Sequence, residues 1–174
     1  MDFFTVPTVM FKILFVFVVL AYDRRHVVHI NVTDNPTAQW TAQQIVEAFP
    51  WETAPRYLLR DRTAVYGVVF SSRVQALGIR EVKTAPRSPW QNPYVERLIG
   101  TLRRECLDHM VVLNETHLRR LLRDYLIYYH SARTHLSLDK DAPEPRPVER
   151  LDHGRIVETP MVRGLHHRYT RQAV

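Results

Sequence analysis

Cysteine is almost missing. Cys106 is the only one in 174 residues, so neither an internal disulfide nor a cysteine-built zinc site can form, and a reducing, cytoplasmic setting is expected. Long apolar runs are missing as well. The longest uninterrupted stretch, Ile13 to Ala21, has nine residues, against the roughly 20 a membrane helix needs. Lys12 interrupts the wider segment Val9–Tyr22, which has neither the basic region nor the small-residue cleavage site of a signal peptide. A membrane-associated peptide built on that segment is therefore the weakest of the function classes, and no membrane partner is expected. No internal repeat is present. Disorder is excluded by composition, with 45% hydrophobic and 24% charged residues, ordinary values for one folded domain plus an arm or tail. The formal charge is +6, and it is carried mostly by arginine, whose planar fork grips phosphate.

The first third reads as strands. Asp2–Pro7 is short and apolar, Lys12–Ala21 is the long apolar run, and His26–Val32 is β-rich, with the polar turn Tyr22–Arg25 between the last two. Three consecutive strands in an antiparallel meander follow from that pattern. Thr41 is expected to cap a helix whose apolar face is Ala42, Ile45, Val46 and Phe49, with Pro50 as its stop. Arg56–Arg60 is a short strand ending at Asp61, Val68–Leu77 a helix stopped by Gly78, and Ile79–Lys83 a further strand. Two prolines keep the loop Thr84–Gln91 out of helix. Asn92 and Pro93 then serve as cap and first-turn residue of a helix carrying Val95, Leu98, Ile99, Leu102 and Cys106 on one face. A second long helix, Glu115–His130, buries Leu118, Leu121, Leu122, Tyr125, Leu126 and Tyr129. Beyond Asp139 three prolines in five residues mark a linker outside the core, and Val162–Val174 is short, basic and rich in histidine. The order of elements implies an α/β sandwich around one mixed sheet. Residues 1–138 are expected to form the core, and 139–174 a Pro-rich linker and basic tail.

Three carboxylates stand where carboxylates are awkward unless used. Asp2 opens the first strand. Asp61 ends a central strand, where open α/β sheets place their sites. Glu96 lies in the first turns of a helix, opposite its apolar face. Clustered carboxylates repel and need cations between them, and hard oxygen donors suit magnesium or manganese. Two such ions about 4 Å apart can clamp the attacking and leaving oxygens of an in-line phosphoryl displacement. The plainer alternatives are that Asp61 pairs with Arg60 or Arg62 and that Glu96 is a solvated helix residue.

The stretch SPWQNPYVERLIGTLRRECLDH, Ser88–His109, resembles the block around the last catalytic glutamate in the DDE integrase core of bacterial insertion-sequence transposases, and more distantly of retroviral integrases. Glu96 follows Asp61 by 35 positions, close to that family's acid-to-acid interval. DFFTVPT at Asp2–Thr8 is similar to its first strand, and YHSARTHLSL at Tyr129–Leu138 to its closing segment, so the resemblance runs from Asp2 to about Val148. It implies a ribonuclease-H-like fold, a mixed central sheet flanked by helices, and a metal-binding catalytic triad of Asp2, Asp61 and Glu96 holding two Mg2+ or Mn2+ ions. It further implies DNA strand cleavage and strand transfer, with transposon ends and target DNA as partners and a homo-oligomer assembled on them.

Arg103, two helical turns beyond Glu96, shares its face and stands where the family places a DNA-contacting Lys or Arg. Arg104, Arg87 and Trp90 are further DNA-binding candidates, by charge and by stacking. Cys106 reads as a core thiol, Arg133 and His135 as packing or hydrogen-bonding residues, and His166, His167 and Arg168 as part of a flexible tail. Two departures stand out. The second acid is followed by DRTAVYG rather than by the family's DRG or DRDG, and Met1 directly precedes Asp2, where relatives have an upstream domain and more of the first strand. The expectation is a truncated core with a fraying first strand, weak or inactive while its DNA affinity survives. The competing reading is a catalytically inactive remnant that binds DNA or a full-length partner.

Overall fold

The apolar run between Lys12 and Tyr22 becomes a strand buried on both faces, and the rest of the molecule is built around it. The computed structural model describes residues 1–50 and 53–173. Strands β1 (Asp2–Pro7), β2 (Ile13–Leu20) and β3 (Val27–Thr33) form the expected antiparallel meander, with Asp2 opposite Val18 and Val16 opposite Val32. Successive side chains of a strand point to opposite faces, and β2 uses both. Leu14, Val16, Val18 and Leu20 enter one apolar core, and Phe17 and Val19 enter a second. A run that is hydrophobic at every position is what a central strand between two helical layers requires. No helix among the described residues is long and apolar enough to cross a membrane.

The second core is closed by helices α1 (Ala38–Ala48) and α2 (Val68–Ala76), through Ile45, Phe70 and Val74. Helix α1 starts earlier than expected. Thr37, not Thr41, is its cap, accepting the N–H of Trp40 at 3.1 Å, while the hydroxyl of Thr41 is buried and donates to the carbonyl of Thr37. Both threonines have the right chemistry, and only the chain's entry into the helix after Pro36 separates them. Strands β4 (Tyr57–Arg60) and β5 (Arg80–Lys83) pair in parallel, which needs a crossover; α2 supplies it, and Gly78, at φ +73°, ends that helix in the left-handed region. The strands thus form a three-stranded and a two-stranded ladder rather than one hydrogen-bonded sheet. The two meet at Met1, whose ammonium group donates to the carbonyl of Leu59 at 3.0 Å. Met1 does not fray. It is 3% exposed in the second core, and its carbonyl accepts from the Asn92 side chain.

The first core is closed by α3 (Pro93–Glu105) and α4 (Glu115–Ser131), through Val95, Leu98, Leu102, Leu118, Leu121 and Tyr125. Cys106 is fully buried among them, with its thiol pushed up to about 11 by burial. Asn92 stands at the cap position of α3 but makes no cap bond; its buried side chain reaches Met1 and accepts from the Tyr22 hydroxyl at 3.2 Å instead.

The segment read as linker and flexible tail is structured. Ala142 is fully buried, and Arg24 donates to the carbonyls of Ala142 and Pro143. Strands β6 (Arg155–Met161) and β7 (His166–Gln172) form an antiparallel hairpin whose turn places Val162 in the first core. His166 stacks on Tyr128 with ring centroids 4.3 Å apart and donates to the carbonyl of Glu105. Val174 lies outside the described residues. Arg133 and His135 are structural, as expected: Arg133 forks onto the Glu105 carboxylate at 2.6 and 2.7 Å, and His135 packs edge-on against Tyr129.

Candidate active site

Asp2, Asp61 and Glu96 line one open cavity of about 750 Å3. Each arrives from a different element. Asp2 is the first residue of β1, half-buried, and one of its carboxylate oxygens accepts the N–H of Phe3 at 2.8 Å. Burial raises its pKa to about 6; the Phe3 bond opposes the shift, and the negative charges of Asp61 and Glu96 reinforce it. The ammonium of Met1 feels both Asp2 and Asp61, yet burial dominates and lowers its pKa to about 6. Acid and amine are thus both pushed toward their neutral forms, as expected where charges are desolvated without full compensation.

Asp61 directly follows β4 and pairs with neither neighbouring arginine. Arg60 turns inward, 3% exposed, forms an ion pair with Glu81 at 2.5 Å and lies over the ring of Tyr66 at 5.0 Å. Arg62 donates to the carbonyl of Thr84 at 2.8 Å. One oxygen of Asp61 accepts instead from the backbone and hydroxyl of Thr63, at 3.2 and 2.7 Å. This is an Asx-type turn that ties down one oxygen of a carboxylate lining the cavity. Thr63, Thr84 and Asn92 all line the cavity, and the sequence reading passed over them as site residues. An Asp-x-Thr step after a strand was the available signal for Thr63.

Glu96 is exposed on α3, while Val95, Leu98, Ile99 and Leu102 behind it are buried. Arg103 lies along the same face: its guanidinium donates to the carbonyl of Thr5 at 3.1 Å, stands 5.5 Å from the ring centre of Phe4, and borders the cavity. Arg87 stands on the rim, exposed, at φ +56°. Arg104 and Trp90 are not part of the lining. Arg104 is exposed on α3 with its guanidinium lying over Gly100, and Trp90 is 71% exposed on the loop before α3.

Comparison with known proteins bears on the fold that holds these residues. Residues 77–143 match the model of a family described as "Integrase core domain". The catalytic core domain of BIV integrase superposes with a TM-score of 0.57 at 18% identity, over 82% of this chain and 88% of that one. A simian T-cell lymphotropic virus intasome, solved in complex with PP2A regulatory subunit B56 gamma, gives 0.63 at 15% identity. That match covers 97% of this chain and 64% of the other. This chain has the ribonuclease-H-like fold of an integrase catalytic core. No curated protein matches it in sequence. Of the residues singled out above, the family match includes Arg87, Trp90, Glu96, Arg103 and Arg104, whereas Asp2 and Asp61 precede it.

Whether the acids of this core fit divalent ions is a question of donors and spacing. The donors are carboxylate oxygens alone, hard ligands of the magnesium and manganese type, and Asp2, raised mainly by burial, also feels the negative charges of Asp61 and Glu96. Among the described residues the trio whose ligand atoms lie within 4.8 Å of one another is a different one, His26, His130 and Glu144. Two ions about 4 Å apart, each about 2 Å from its ligands, are served by carboxylates as much as roughly 8 Å apart. A 4.8 Å trio is therefore not required, and the donor chemistry of the acidic set suits such ions. The histidine trio does not. Its rings stack in parallel, 4.2 Å apart and 4° off plane, so their lone pairs do not converge. Nε2 of His130 already accepts the N–H of Val27 at 3.0 Å.

Proposed function

We propose that this chain is the DDE catalytic core of a DNA transposase of the bacterial insertion-sequence type, performing metal-dependent strand cleavage and strand transfer. The observation that carries the reading is the convergence of Asp2, Asp61 and Glu96 on one cavity bordered by Arg87 and Arg103, within an integrase-core fold. Bound between the carboxylates, two Mg2+ or Mn2+ ions supply the positive charge that clamps the attacking and leaving oxygens of an in-line displacement.

The protein's own part is positioning. Asp2 and Asp61 come from strands held together through Met1 and Leu59, and Glu96 is set by the packed face of α3. Thr63 fixes the orientation of Asp61. Arg103 and Arg87 lie where they can hold phosphates on either side of the scissile bond, with Trp90 and Arg104 as outer contacts. Water attacks first, and the freed 3′-hydroxyl then attacks the target strand, so no covalent protein–DNA intermediate is needed. The partners are transposon-end and target DNA, with further copies of the chain assembled on them in the cytoplasm.

A manganese-dependent disintegration assay on a branched DNA substrate tests this, because it asks only for the core chemistry. Turnover by the wild type, lost in D61N and E96Q, is the expected result. DNA binding without turnover in any divalent metal would replace the enzyme with a non-catalytic DNA-binding protein.

A further inference from the structure

A second cavity, of about 610 Å3, lies between the Pro-rich segment and β7, bordered by Arg24, Lys140, Arg146, Glu149 and Arg168. Two independent features set it apart. The Nε atoms of Arg146 and Arg168 are both shut off from solvent, and among the described residues neither meets an acceptor. Buried donors are almost always paired, because an unpaired one has given up water for nothing. Of the three acids on this cavity, Asp139, Asp141 and Glu149, two are already engaged. Asp141 receives Arg24 at 2.6 Å and the N–H of Ala142 at 2.8 Å, and Glu149 accepts from the N–H of Arg171. The second feature is backbone strain. Arg24, Asp139 and Lys140, all on this cavity, have φ of +45°, +54° and +64°, a region that side-chain-bearing residues adopt at a cost and that concentrates at ligand sites.

We propose that Arg146 and Arg168 hold an oxyanion in this cavity, a phosphate of the nucleic-acid backbone. The proposal rests on the reading of the chain as a DNA-processing core. Two guanidinium groups, each with an Nε that lacks an acceptor, suit a phosphate, whose oxygens accept their parallel N–H pairs. The location suits it as well. Arg24 sits in the β2–β3 turn, and two residues earlier Tyr22 donates to Asn92, which lines the acidic cavity. The same turn therefore borders this cavity and bonds to a residue that lines the acidic one. Arg168, read from the sequence as part of a tail, becomes a ligand-binding residue.

The test uses the full chain and two measurements. The first is thermal melting in inorganic phosphate against chloride at equal ionic strength. At about a hundredfold excess over its dissociation constant, phosphate should raise the wild-type Tm by roughly 5–10 °C and leave the R146Q/R168Q variant unmoved. The second is DNA affinity by fluorescence anisotropy across salt concentrations. The variant's plot of log affinity against log salt should be shallower by nearly 2, the loss of two phosphate contacts. A phosphate response lost in the variant with an unchanged DNA slope assigns the anion to a free phosphate compound and overturns the nucleic-acid source. An equal response in both proteins, or none in the wild type, overturns the site. R168K, which keeps the charge but not the fork, should show a partial response; should the double variant not fold, an unaltered response in R168K overturns the site by itself. D61N should respond to phosphate like the wild type, so failure here is separable from failure of the catalytic reading.

Discussion

Asp61 shows how much of a site one residue's surroundings decide. As an acid at the end of a strand it was visible in the sequence, but its partner was not. Arg60, Arg62 and Thr63 were all close enough in the chain, and only the turn geometry selects Thr63. Arg60 spends its charge on Glu81, 21 residues away, a choice that no local pattern encodes. T63V removes the hydroxyl donor and keeps the shape. Catalysis by positioning loses about a hundredfold for a displacement of 1 Å, so T63V should slow disintegration by roughly 10- to 100-fold. Its stability should fall by only about 1 kcal/mol, the worth of one ordinary hydrogen bond. Steady-state rates with a parallel melt check this, and an unchanged rate would remove Thr63 from the site. For Asp61 itself the expected readout is metal linkage. The wild type should melt higher in manganese than in EDTA, by the few kcal/mol that a saturating ion adds to the native state. D61N should melt equally in both.

At the scale of elements, the strands and helices of the core were legible because their burial pattern is their periodicity. Strand β2 is apolar throughout since both its faces are covered, and α3 shows a buried stripe opposite Glu96. The β6–β7 hairpin was not legible. Its strands carry mostly exposed or half-buried polar side chains, and it is anchored by its turn, where Val162 enters the first core. Asn92 stands at the expected cap position, but the use of its side chain was not legible: Asn before Pro is good capping chemistry, yet here the amide joins the start of β1 to the β2–β3 turn. N92A should therefore do more than lose a cap. It leaves the buried carbonyl of Met1 without its side-chain donor and frees the Tyr22 hydroxyl, which should cost about 2 kcal/mol. It should also loosen Asp2 relative to Glu96, lowering turnover beyond what the stability loss explains. Denaturant titration and the disintegration rate, measured on one preparation, separate the two effects.

The whole molecule should be acid-sensitive. Burial lowers His130 and His135 to about 4 from the ordinary 6.5; the neighbouring His26 adds to the shift at His130, and Arg133 to that at His135. The unfolded chain therefore binds more protons than the folded one between about pH 4 and 6.5. Stability contributed by these neutral histidines is present above pH 6.5 and is lost as pH falls toward 4. Glu105 acts in the same direction: burial works to raise it, but its bonds from Arg133 and Tyr125 prevail and hold it below the usual carboxylate range. Asp2 opposes, since its raised pKa favours the folded state at lower pH, yet one acid is outweighed by two histidines and Glu105. Unfolding free energy should rise from pH 4.5 to 6.5 by urea titration, and H130N should flatten the rise. A flat wild-type profile would show that the histidines are not held neutral in the native state.

At the same scale the fold was readable from the order of elements and the motif around Glu96, while the convergence of the first two acids with Glu96 was implied by the family resemblance and by no local pattern. Asp2 and Asp61 precede the family match, and their shared cavity depends on how β1 and β4 meet through Met1. That convergence is the central claim, and anomalous diffraction from crystals soaked in manganese tests it most directly. The account predicts two peaks about 4 Å apart, each about 2 Å from oxygens of Asp2, Asp61 or Glu96. Manganese bound elsewhere, or any two of these carboxyl groups more than about 12 Å apart in the soaked crystal, a gap that two such ions cannot span, would contradict it.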